Sequence, residues 1–230
     1  MPSVLQIAVA IAVKIGLAIV ILGVIRRGLH RRCWSFLVYL LAVLIFSSVE
    51  MGAMMLADVA GLEWFRSWRF WHIEQTVFEV VKLTLAVELG IRVVAAFPGT
   101  WGLARALLGA ALLTTTAAVM LGVAPQHPLV TTGTIWLFAA VSLVVVLFNL
   151  PLHAWHRSLL ASFVPYLFVF STLQSILARR GDALAETIGS IDQVAYLALV
   201  GWWVYAAWRT EEPVTDVSPA VLRRLGLARG

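Results

Sequence analysis

The sequence predicts an all-α polytopic membrane protein, a bundle of seven transmembrane helices, and three observations carry that expectation. The first is composition: of 230 residues, 61% are hydrophobic and 13% charged, too apolar for a soluble domain and too long for a single anchor. The second is a series of seven apolar runs, 4–25, 34–57, 71–97, 102–123, 129–150, 158–178 and 191–208, each near the roughly 20 residues that a bilayer core of about 30 Å requires. The third is how the cations are sorted. The fifteen arginines sit almost wholly at the ends of the runs, where they meet headgroups, whereas both lysines, Lys14 and Lys82, fall near the centres of runs. The net charge of +5 is therefore read as a membrane signature and not as a nucleic-acid footprint.

Each element has its own justification. The first run has no basic leader, contains Lys14 and ends in Arg26 and Arg27, so it is expected to be a retained span and not a cleaved signal. Four arginines in the seven residues RRGLHRR separate it from the second. Trp64, Phe65, Trp68, Phe70 and Trp71 make an interfacial segment ahead of the third run. Pro98 and Gly99 end that run. The fourth carries a small residue at every fourth place (Gly102, Ala106, Ala110, Thr114, Ala118, Gly122), a face on which another helix can pack closely. Pro165 is expected to kink the sixth. Residues 178–190 read as a polar loop, and the seventh run, only 18 residues, must stand upright. The tail holds a short helix starting at Ser218 and Pro219 with Val221, Leu222 and Leu225 on one side. The domain division is 1–210 for the transmembrane bundle and 211–230 for the tail.

Eleven arginines fall on one set of connections and four on the other, which places the amino terminus outside and the carboxyl terminus in the cytosol of a cell (cytoplasmic or inner) membrane. Two pairs of strings recur in order: FSSVE at 46–50 with FSTLQ at 170–174, and IEQTVF at 73–78 with IDQVAY at 191–196. The offsets, 124 and 118, are those of a duplicated three-helix unit with the fourth run as linker, a 3+1+3 layout.

The third run organises the rest. Glu79 and Lys82 lie near its middle, where a lone charge costs at least ~2.5 kcal/mol, and Gln75, Glu79 and Lys82 share one helical face. A rise of about 1.5 Å per residue puts Glu50 at the level of Glu79, Lys14 and Lys82 near the midplane, and Gln75, Gln174, Asp192 and Gln193 further outward. These eight residues are the candidate ligand-, ion- or proton-binding set: an outward-open cavity floored by the two lysines and walled by the two glutamates. The competing reading is an interhelical polar lock with no ligand. Glu88 and Arg92, four apart, read as a structural pair.

No Gly-rich phosphate loop, GxSxG, HExxH or CxxC is present, so no motif assigns an enzymatic activity, although an intramembrane enzyme stays open, and no cofactor or metal is expected. The five histidines fall at run edges, where a solvated interface explains them; His153 and His156, three apart, are the pair a metal would use. Cys33 is alone and rules out an intrachain disulfide. In plan the layout resembles the eukaryotic SWEET-type sugar transporters and the microbial rhodopsins. The paired proline hinges of the first are absent, only Pro165 being internal, and the seventh run has no lysine on which the second attach retinal. The expected function is a small-ligand sensor or accessory subunit, with a small-solute or proton-coupled transporter and a structural subunit of a larger complex as alternatives. Expected partners are lipid and a membrane protein docking on the small-residue face of the fourth run or on the tail, with no nucleic acid.

Overall fold

The computed structural model describes residues 4–56, 63–95, 128–147, 152–180 and 184–209. Among them are six α-helices and no strand: α1 (Val4–Arg26), α2 (Trp34–Met55), α3 (Trp68–Ala95), α4 (Pro128–Leu147), α5 (Ala154–Arg180) and α6 (Ala185–Trp208). Three of them, α1, α2 and α5, contain stretches long and apolar enough to cross a membrane. The fourth predicted run with its small-residue face, and the tail from 211, lie outside the described residues; α4, α5 and α6 are the fifth, sixth and seventh runs.

The helix ends follow local chemistry. Gly28 takes φ 69°, a left-handed turn that suits glycine, and stops α1 just after Arg26 and Arg27. Arg27 then donates to the carbonyls of Ala207 and Arg209, tying the end of α1 to the end of α6. The third helix begins three residues before the expected start because the Ser67 hydroxyl accepts the Phe70 N–H at 3.3 Å, an N-cap. Both described parts of the polar segment 178–190 are helical: α5 runs on to Arg180, and α6 starts at Ala185 with Glu186 in its first turn, where the positive end of the helix dipole favours a carboxylate. The seventh run is thus part of a 24-residue helix. Helix α5 continues through Pro165, which removes only the one backbone donor that would have met Ala161.

Each helix packs on the one before and the one after it, and α6 returns to α1, so the six close a ring in chain order. Helices α1 and α6 run parallel and close together: a Cβ on Gly16 would stand 2.5 Å from Val200 Cγ1, and one on Gly23 2.8 Å from Trp208 Nε1. Ser35 meets Glu88 and Phe46 meets Phe78, so α2 and α3 are antiparallel; Phe138 stacks on Phe163 while Trp136 meets Phe168, and Trp203 donates to Ser162 while Asp192 meets Tyr166, so α5 is antiparallel to both α4 and α6. Helices α2 and α5 therefore point one way and the other four the opposite way. The end of α3 and the start of α4 lie at opposite ends of the bundle.

The core fills one half of this ring. Phe36, Tyr39, Trp155, Phe163 and Trp203 interlock with ring centroids 5.0 to 6.5 Å apart, mostly edge to face, and Leu17, Val20, Leu85, Leu89 and Leu159 pack around them. This half ends at Arg27, Arg32 and His156 and is the arginine end. The outer surfaces carry Ile11, Ile15, Leu22, Trp136, Leu143 and Val146, all exposed. Trp64, Trp68 and Trp71 are exposed as well, and Trp68 stacks on Trp71, the disposition expected of rings at a membrane–water boundary.

Candidate functional site

The other half of the ring encloses an open chamber of about 970 Å³. Its wall is built from the amino-terminal part of α1 (Gln6 to Lys14), α2 from Tyr39 to Met51, the first half of α3, the middle of α5 and the start of α6; none of the described side chains of α4 lines it. The lining stops where the aromatic packing begins, at Lys14, Tyr39, Lys82 and Tyr196.

Six of the eight residues named from sequence line this chamber: Lys14, Glu50, Gln75, Lys82, Asp192 and Gln193. Glu79 stands behind the wall, buried and bound to Lys82, whose Nζ donates to Oε1 at 2.5 Å. Its second oxygen, Oε2, is enclosed without a hydrogen bond. The Lys82 ammonium also lies 5.7 Å from the Phe170 ring centre, within cation–π range. Gln174 does not join the set; it is exposed on α5 and absent from the chamber wall. Phe170, one turn earlier on the same side of the helix, is the last described α5 residue to reach the chamber, so Gln174 lies past its end.

Two pairings depart from the sequence-based layout. Glu50 and Glu79 are not at one level. The antiparallel register that joins Ser35 to Glu88 and Phe46 to Phe78 brings Glu50 to Glu74, and their carboxyls come within hydrogen-bonding reach. Glu79 is five residues deeper, about 7.5 Å along the axis. The lysines do not face the two glutamates as a square either. Lys14 donates to the Met51 sulfur at 3.6 Å and feels Glu50 as its nearby charge, while Lys82 belongs to Glu79.

The residues not anticipated are Glu74 and a tyrosine cluster. Three of the chain's four tyrosines converge here. Tyr166 donates to Asp192 Oδ1 at 3.4 Å, its ring lies 5.4 Å from that of Tyr196, and Tyr39 and Tyr196 turn their hydroxyls toward each other. No hydrogen bond of normal geometry forms on the Tyr196 hydroxyl. Only four tyrosines in an apolar chain was the available signal, since a phenol in a span needs a polar partner as a phenylalanine does not.

A second polar cluster holds the arginine end. Glu88 accepts from the Ser35 N–H at 3.1 Å and the Ser35 hydroxyl at 2.5 Å through Oε2, and from Arg92 at 3.0 Å through Oε1. It therefore supplies a free donor at the start of α2 with a partner from another helix, a reach beyond the intrahelical pair expected. Cys33 beside it is buried, and burial first, then Glu88, push its thiol up to about 12. His156 is buried, with Nε2 3.1 Å from the Arg32 carbonyl oxygen, so the solvated-interface reading fails for this histidine: the Arg32 carbonyl gave it a partner inside the bundle. No group of three metal-ligating side chains occurs among the described residues.

Chemically the chamber joins a mostly apolar wall to a few convergent charges and phenols, the makeup of a small-molecule site. Comparison with family models, with curated proteins and with solved structures gave no match to this chain.

Proposed function

We propose that the chain is a multi-pass protein of the cell membrane, amino end outside, that holds a small ligand in an outward-opening chamber and acts as a sensor or accessory subunit. The observation that carries this reading is the asymmetry of the ring: an open polar chamber in one half, and the interlocked Phe36, Phe163 and Trp203 in the other. A site open on one side and sealed on the other suits reporting occupancy better than passage. In this reading residues 102–123 supply the seventh crossing, returning the chain from the end of α3 to the start of α4, and its small-residue face and the tail are where a partner docks. Glu79 with Lys82 then acts both as a lock on α3 and as part of the chamber floor.

A transporter is the second reading, and one observation favours it. Exchange of α1, α2, α3 with α4, α5, α6 preserves the ring order and the helix directions, as a duplicated three-helix unit requires. The recurring strings also put matched residues, Gln75 with Gln193 and Phe78 with Tyr196, on the chamber wall. Glu50 and Gln174 break the match, one lining the chamber and the other exposed.

Purified protein in sealed lipid vesicles loaded with a pH-sensitive dye separates the two. The sensor reading predicts that an imposed pH gradient decays no faster than in empty vesicles. Decay that needs the protein and disappears with Glu50→Gln would make proton-coupled transport the better account.

A further inference from the structure

The charges of the chamber do not balance. Four carboxyls stand in or against its wall (Glu50, Glu74, Glu79, Asp192) and two amines (Lys14, Lys82). Lys82 is taken by Glu79, and Lys14 is placed to answer Glu50. Glu74 meets the Glu50 carboxyl, a contact that needs a proton between the two and adds no second charge, while Asp192 is held by a neutral phenol, the Tyr166 hydroxyl. Among the described residues, no Lys or Arg forms an ion pair with either. An acid in a low-dielectric wall with no cation beside it favours a positive guest.

The surroundings of Asp192 suit one kind of cation. Tyr166 and Tyr196 stand beside it, and the chamber it lines is walled largely by apolar side chains, Val13, Val43 and Leu167 among them. Aromatic faces attract ammonium groups through their quadrupole, and the apolar wall accepts a hydrocarbon body. A bare metal ion would need more oxygen ligands than this corner offers.

We propose that the chamber binds an organic cation, an amine with an apolar or aromatic body, with its ammonium at Asp192 between the tyrosine rings. This rests on the ligand-holding reading above and names the class of ligand.

The test compares three probes that share a phenethyl body on the full chain in detergent: phenethyltrimethylammonium, which cannot lose its charge; 2-phenylethanol, which is neutral; and 3-phenylpropanoate, which is negative. Affinity is measured by calorimetry and by the rise in Tm. The cation is expected to bind, the other two to bind at least about tenfold more weakly, and Asp192→Asn to lose at least about tenfold for the cation alone, the scale of a lost charged contact. Asp192→Asn leaves the Tyr166 hydroxyl an oxygen acceptor, and its Tm without probe checks the fold; Glu88→Gln, outside the chamber, should bind as wild type. Equal binding of the alcohol, unchanged binding by a folded Asp192→Asn, or no binding of the cation overturns the inference. Tighter binding of the anion also overturns it while leaving a ligand chamber standing. The chamber itself fails separately, if a cysteine placed at Ser47 is not reached by a water-borne thiol reagent.

Discussion

Replacing Lys82 with methionine removes the cation from the most enclosed ion pair of the described helices and leaves Glu79, only 5% exposed, with no charge to answer it. Where the pair sits decides the magnitude. An exposed pair three or four residues apart on a helix contributes about 0.3–0.5 kcal/mol. Breaking a buried pair by taking away one partner costs about 3–5 kcal/mol, because the remaining charge must be desolvated alone or take up a proton. With Lys82 9% exposed and the contact at 2.5 Å, the second figure applies. The loss of the Phe170 ring contact adds about 0.5–1 kcal/mol. A total of about 3–6 kcal/mol is roughly two to four decades in the folded-to-unfolded ratio. Reversible unfolding in mixed micelles, titrated with a denaturing detergent, measures it. Glu79→Gln together with Lys82→Met should recover most of the loss, since both charges go together, giving a coupling of about 2 kcal/mol or more. A single-mutant cost below about 0.5 kcal/mol, or costs that simply add, would refute a buried, mutually dependent pair.

Three further outcomes follow from the packing. Gly16→Ala should destabilise by about 1–3 kcal/mol in the same assay, because its Cβ would stand 2.5 Å from Val200 Cγ1; Gly201→Ala, with nothing within 4 Å, should stabilise α6 by up to about 1 kcal/mol. Glu88→Ala strips the Ser35 N–H and hydroxyl and Arg92 of their acceptor and should cost about 2–3 kcal/mol, of which Ser35→Ala in the same background adds little. Cys33 should resist alkylation in folded protein at pH 8 and react once detergent unfolds it, since with its thiol at about 12 only about one molecule in ten thousand is thiolate there. As pH rises from the ordinary thiol value toward 12, the unfolded chain gives up this proton before the folded one, so the thiol favours folding below that window and progressively less through it.

Much of the frame was legible because apolar runs, arginines and glycines each act locally. Arg26 and Arg27 mark the end of α1 in the sequence as they do in the structure. What escaped depended on register between helices. The depth estimate that put Glu50 level with Glu79 was measured from the middle of each apolar run, and Ser67, by capping α3 three residues early, is one reason that the middle of that helix is not the middle of its run. Glu74 was passed over because it falls outside the Gln75, Glu79, Lys82 stripe. Helix α3 turns it toward α2, and the recurring IEQTVF and IDQVAY strings, which match it with Asp192, held the clue. The tyrosines were indistinguishable from core aromatics until three helices brought their hydroxyls together. Gln174 looked equivalent to Glu50 by the repeat, yet one turn of helix past Phe170 carries it beyond the end of the chamber.

The account stands on a water-filled chamber reached from one face of the membrane, and thiol labelling in sealed vesicles tests it directly. A charged, membrane-impermeant methanethiosulfonate is added to either side of vesicles holding the Ser47→Cys or Gln193→Cys protein, with native Cys33, buried at the opposite end, as internal control. The expected result is labelling of both introduced thiols from one side only, with Cys33 silent from both. Folded Ser47→Cys protein that stays unlabelled from either side, or is labelled equally from both, would contradict the chamber described.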